Sequence, residues 1–75
     1  MKSYEKVFIG NLPRNTNNQD LQSFFKGYEV MRFHKISNKS AFAEFNDFKN
    51  AEKAINDLNG KYLQGRPILV EMARK

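Results

Sequence analysis

Two stretches of helical periodicity, each bracketed by β-rich runs, follow one another along 75 residues with no linker, repeat or low-complexity segment between them. The first run, Lys6 to Gly10, is Lys-Val-Phe-Ile-Gly and stops at Asn11-Leu12-Pro13. Thr16-Asn17-Asn18-Gln19 has the form of a capping box, with Thr16 as N-cap and Gln19 reaching back. A helix is expected from there to about Lys26, with Leu21, Phe24 and Phe25 on one face and Gly27 as the stop. Val30 to Ile36 and Lys39 to Phe45 read as two strands of a tight hairpin turning at Ser37-Asn38. Asp47 can cap a second helix whose apolar residues Ala51, Ala54, Ile55 and Leu58 recur at helical spacing until Asn59-Gly60. Ile68 to Met72, entered through Gly65-Arg66-Pro67, is the last strand. This order predicts an α+β, ferredoxin-like βαββαβ sandwich: a four-stranded antiparallel sheet with both helices on one face. Right-handed crossovers then place the first and third strands side by side in the middle.

Size supports two layers. A chain this short buries only about 60% of its unfolded surface, so its core must come from a regular arrangement. There are no cysteines, which removes a disulfide framework and a thiolate metal site. Residues 1–75 are expected to form one domain. Thirteen Lys and Arg against eight Asp and Glu give +5, a balance that invites nucleic acid, an acidic protein or an anionic surface as partner. No apolar run approaches the ~20 residues of a membrane span, and Met1 to Lys6 lacks the apolar stretch of a signal peptide. A soluble, intracellular protein with no membrane partner is expected.

The helix-free face of the sheet carries the functional argument. Alternate side chains of a strand point to opposite faces. With Val7 and Ile9 directed at the helices, Phe8 faces outward; with Ala41, Ala43 and Phe45 inward, so do Ser40, Phe42 and Glu44. Two phenylalanines on adjacent central strands of a polar face suggest a platform on which bases stack. The plainer reading is that they pair with each other or are covered by a terminal extension.

Val7-Phe8-Ile9-Gly10-Asn11-Leu12 resembles the six-residue motif on the first strand of RNA-recognition motifs. Asn38 to Phe45 lies where that family carries its eight-residue motif. Phe24-Phe25-Lys26-Gly27-Tyr28, Leu58-Asn59-Gly60-Lys61, Val70-Glu71-Met72-Ala73-Arg74 and the short hairpin are similar to the first such domain of SR-type splicing factors. The resemblance implies single-stranded RNA as ligand, a base stacked on each of Phe8 and Phe42, Asn11 fixing the turn out of the first strand, and backbone near Ala73 and Arg74 reading base edges. It also implies a role in mRNA processing or splicing, hence the nucleus with shuttling to the cytoplasm.

The chain departs from the family pattern in three places. Ser40 stands where an aromatic packs between the stacked bases, Lys39 where glycine is usual, and Asn38 where the motif is basic. A left-handed backbone at Lys39 would cost about 1 kcal/mol relative to glycine. If Ser37-Asn38 is the turn, Phe33 pairs with Phe42, and Phe33 and Lys35 stand on the open face, Phe33 taking part of the role lost at Ser40. A one-residue slip would turn Phe33 inward. Lys6, Arg32, Lys35, Lys39, Arg74 and Lys75 could meet phosphates, or be plain solvated surface. Glu44 would repel phosphate but can accept a base amino group.

His34 reads as a partly buried edge histidine, and Tyr28 and Tyr62 as packing residues. No nucleophile, base or metal-ligand set stands at useful spacing, so no enzyme activity, metal or cofactor is expected, and Arg14-Asn15 alone does not support a phosphatase. The expected function is binding of about two to four nucleotides of single-stranded RNA by a monomeric domain, at micromolar affinity or weaker. The rival is a degenerate domain of the same fold that docks proteins, through the helical face or the platform itself.

Overall fold

The computed structural model describes residues 5–73. Strands β1 (Glu5–Gly10), β2 (Val30–Ser37), β3 (Ser40–Phe45) and β6 (Leu69–Met72) form one antiparallel sheet in the order β2-β3-β1-β6. Helices α1 (Asn18–Phe24) and α2 (Phe48–Leu58) lie on one face, α1 against β2 and α2 across β1, β3 and β6. The ferredoxin-like architecture is therefore as expected, with β1 and β3 central.

Val7, Ile9, Ala41, Ala43, Phe45 and Val70 from the sheet meet Leu21, Phe25, Ala51, Ala54 and Leu58 from the helical side. Leu12 and Ile68 close the core from the connecting segments. The alanines leave room that rings fill: Phe25 stands 5.4 Å from Phe33 and 6.4 Å from Phe45, centroid to centroid. Tyr28 ties this end to α2, its hydroxyl donating to Asp57 at 2.7 Å. That bond, with desolvation and the Asp57 charge, raises the phenol above its ordinary value, favouring the protonated form that donates.

Asp47 caps α2 as expected, accepting from the Asn50 amide at 2.8 Å. The cap of α1 falls one residue later than the sequence suggested. Asn17 accepts from the Asp20 amide at 2.9 Å, and Asp20 accepts from the Asn17 amide at 3.1 Å. Thr16 is buried instead, its hydroxyl donating to the Pro13 carbonyl at 2.7 Å. The two overlapping boxes differ in that Asp20 is a charged acceptor at the positive helix end, where Gln19 is neutral.

A small hairpin, β4 (Tyr62–Leu63) with β5 (Arg66–Pro67), precedes β6. Gln64 and Gly65 turn it with φ of 51° and 87°. A two-residue turn with both φ positive is the type favoured in hairpins, and Gly65 takes its second position without steric cost.

The β2–β3 pairing overturns the expected register. The turn is Asn38-Lys39, with Ser37 opposite Ser40. Moving the turn by one residue shifts the pairing by two and leaves every side chain on its original face. What reverses the faces is an extra residue, Ile36, between Lys35 and Ser37. Below it Lys35 pairs with Ala41, His34 with Phe42, Phe33 with Ala43 and Arg32 with Glu44. Phe33 and Lys35 thus turn toward the helices, and His34 and Arg32 toward the open face. Met31 is a second extra residue, after which Val30 pairs with Phe45. Val30 and Phe33, three apart, would fall on opposite faces of a regular strand; the extra residue lets both pack against the core.

Candidate nucleic-acid interface

Phe8 and Phe42 are direct cross-strand partners on the open face, both partly exposed. Their ring centroids lie 5.9 Å apart with planes at 69°, an edge-to-face contact. Lys6, two residues before Phe8 on the same face, places its ammonium 5.4 Å from the centre of the Phe42 ring. Pairing extends the row in both directions: His34 stands beyond Phe42, and Glu71 beyond Phe8. A shallow depression of about 300 Å³, lined by Phe8, Phe42, Glu71, Met72 and Ala73, opens over the β1–β6 side.

Gly10 allows Phe8 to lie down. A Cβ there would come within 2.8 Å of Phe8 Cε2 and 3.4 Å of Leu69 Cδ2. Gly10→Ala is therefore expected to displace the Phe8 ring while the strand persists. With a base stacked on Phe8, as the family resemblance implies, RNA affinity should fall by about threefold to tenfold, a fraction of one stack, with little change in the thermal unfolding midpoint. Fluorescence anisotropy beside a melting curve checks both halves.

Glu44 does not face the platform as an unmatched acid. Its carboxylate lies 3.4 Å from Arg32 Nε, and Lys6 is its partner on β1. The Arg32 side chain is 64% exposed, so the ion pair is worth at most about 1 kcal/mol, but it cancels charge that would oppose phosphate. Ser40 holds the open face beside Ser37, their hydroxyl oxygens 2.9 Å apart. Lys39 is exposed at the hairpin tip and is not among the positive-φ residues, so the expected penalty for losing glycine there does not arise.

The left-handed position is Asn11, at φ 60°. Its side-chain Nδ2 donates to the Pro67 carbonyl at 2.8 Å and its Oδ1 accepts from Arg66 Nη2 at 2.7 Å. Asn11 thus fixes the exit from β1 by binding its own chain. The Ala73 amide donates to the Lys6 carbonyl at 2.9 Å, which holds the end of the last strand beside β1. Arg74 lies outside the described residues.

Two expected site residues are elsewhere. Lys35 donates from Nζ to the Thr16 carbonyl at 2.8 Å, on the helical side. Phe33 packs on Phe25, so it cannot replace the ring missing at Ser40. Phe33→Ala is expected to leave RNA affinity unchanged and to lower stability by about 1–3 kcal/mol, less than a fully buried ring would. Urea unfolding with an RNA titration at a temperature where the variant stays folded separates the two effects. His34 was expected partly buried; it is exposed, because the extra residue at Ile36 carries it to the open face. Glu71 and Met72 also border the platform, although alternation along the last strand could have placed Glu71 there.

The family model for the RNA recognition motif matches residues 7–69. The chain belongs to the RNA recognition motif family. Serine-arginine protein 55 of Drosophila melanogaster is 44% identical over 69 residues, which are 92% of this chain and 18% of that protein. Human serine/arginine-rich splicing factor 4 is 39% identical over 69 residues, 92% of this chain and 14% of the other. This RNA recognition motif thus spans less than a fifth of the length of these two curated relatives. Among solved structures, the first two domains of yeast poly(U) binding protein Pub1 superpose with a TM-score of 0.87 at 25% identity, covering 96% of this chain and 48% of that one. RNA binding protein PG1 gives 0.85 at 26% identity, with 95% of each chain covered. The family is one of RNA-binding, non-enzymatic domains, and the likeness to SR-type proteins stands.

Proposed function

We propose that residues 1–75 act as one monomeric module that binds about two to four nucleotides of single-stranded RNA across the open face of the sheet. One base stacks on Phe8 and the next on Phe42. Lys6 meets the adjoining phosphate, Arg32 holds Glu44 for a base amino group, and Ser40 and Lys39 border the strand. The Ala73 carbonyl reads a base edge, with Arg74 following it. Asn11 shapes the turn that presents Phe8. The observation that carries this reading is the Phe8–Phe42 pair on the helix-free face with the Lys6 ammonium against it.

Single strands suit such a surface because their bases can be splayed onto rings, whereas A-form grooves hide them. Two stacks give roughly 2–6 kcal/mol before ordering costs, which corresponds to micromolar or weaker binding. Within a longer protein, neighbouring modules would raise this by proximity. The human relative is named as a splicing factor, which supports a role in mRNA splicing; with that role we place the protein in the nucleus, shuttling to the cytoplasm.

A second reading has one observation in its favour. A groove of about 460 Å³ between the end of α1 and β2, lined by Phe25, Tyr28, Val30 and Phe33 among others, would suit a peptide on the helical side. An NMR titration with a pool of short RNAs decides between them. Shifts concentrated on Lys6, Phe8, His34, Phe42 and Ala73 support the RNA platform; shifts absent there, with a protein partner moving the α1–β2 groove, would refute it.

A further inference from the structure

Where β1 leaves the sheet, three cations from three separate segments converge. Arg14 from the β1–α1 connection, Lys39 from the β2–β3 turn and Arg66 from β5 line, with Leu12 and Asn38, a notch of about 380 Å³. No acid lines it, and the only ion pair among the described residues, Arg32 with Glu44, is elsewhere. Gathering like charges in a concavity is unfavourable unless an anion relieves it, and the concave shape concentrates their field.

Two of the three cationic segments are held in place. Arg66 donates from Nη2 to Asn11 Oδ1 at 2.7 Å and from Nε to the Asn11 carbonyl at 3.3 Å. The guanidinium is thereby oriented, and it retains further N–H donors. The Leu12 amide donates to the Lys39 carbonyl at 2.9 Å, which locks the hairpin tip against the chain leading to Arg14. A donor set fixed before binding loses less freedom when the anion arrives.

The notch is within reach of the platform. Leu12 lies four positions after Phe8, at most about 13 Å along the chain. We propose that the notch takes a backbone phosphate of the same RNA strand that stacks on Phe8 and Phe42, beyond the stacked bases. It gives Arg14 a role that the platform does not. The proposal rests on the RNA-binding reading and extends the footprint past the sheet.

The test is fluorescence anisotropy of the domain with labelled RNAs of two and about eight nucleotides, across a salt series. For single strands, each phosphate contact contributes about 0.7 to the slope of log affinity against log salt. Arg14→Gln should lower that slope by about 0.7 for the longer RNA and weaken it several-fold, leaving the dinucleotide unaffected. Arg14→Lys should restore the slope, since the contact is one of charge, and adding Lys39→Gln to Arg14→Gln should weaken the longer RNA further while the total fall in slope stays near about 0.7, that of one phosphate. Phe8→Ala/Phe42→Ala should instead weaken both RNAs with the slope retained. A slope unchanged by Arg14→Gln, with the platform variant still defective, overturns the notch alone. Failure of both RNAs to bind overturns both readings. Saturable shifts of Arg14 and Lys39 with inorganic phosphate or a phosphoserine peptide, but none with RNA, also overturn the proposal.

Discussion

Alanine at both Phe8 and Phe42 is expected to weaken binding of short single-stranded RNA by about 2–6 kcal/mol, from roughly thirtyfold to the loss of any measurable complex. The range comes from the number of stacks each ring supports and from ordering costs that the variant no longer incurs. The fold should survive, because both rings stand on the open face and neither belongs to the buried cluster. What the folded state loses is their edge-to-face contact, worth about 0.5–1.5 kcal/mol. Isothermal titration or anisotropy gives the affinity, and thermal unfolding the control. Single variants sharpen the result: each should remove about half of the effect if the rings hold separate bases. Undiminished affinity in a folded double variant would eliminate the stacking mechanism.

Phe25→Ala should have the largest effect on stability, about 3–5 kcal/mol. Phe25 is 2% exposed and sits where α1 meets the sheet, in ring contact with Phe24, Phe33 and Phe45. Removing it leaves a cavity that three neighbouring rings cannot all collapse to fill. Stabilities of small domains fall near the low end of about 5–15 kcal/mol, so this one change takes most of what is available. Urea unfolding should show the midpoint falling sharply with its slope conserved. A loss below 1 kcal/mol would mean that the aromatic cluster is not what joins α1 to the sheet.

These two predictions draw on features of unequal legibility. Periods of 2 and 3.6 placed β1, β3 and α2 with their faces, so Phe8 and Phe42 could be assigned to the open side from spacing alone. That works wherever strands are regular. It failed in β2, where the faces depend on a count that one extra residue reverses, and nothing in Val-Met-Arg-Phe-His-Lys-Ile-Ser announces which residue is extra. The structure answers with packing: only with Met31 and Ile36 extra do Val30 and Phe33 both reach the core. His34 consequently moved from the partly buried edge position expected of it to the platform row, and Phe33 and Lys35 moved off it.

The shift of the α1 cap from Thr16 to Asn17 has a similar origin. Two capping boxes overlap by one residue and differ by a small energy, so the burial of Thr16 and the charge of Asp20 settle the choice. The β4–β5 hairpin was missed because two-residue strands carry no periodicity and Gln64-Gly65 is not one of the asparagine-, aspartate- or glycine-led pairs that mark such a turn. The notch could not be read from the chain at all: Arg14, Lys39 and Arg66 are far apart in sequence and meet only through the topology.

The two extra residues in β2 also bear on how copies of the domain treat one another. β2 is an outer strand, and an outer strand that is long and flat is a template onto which a second molecule can add. Met31 and Ile36 interrupt its line of amides and carbonyls near both ends, and between them Arg32, His34 and Lys35 are all exposed. The irregularity that buries Phe33 therefore also blunts this margin against strand-to-strand aggregation.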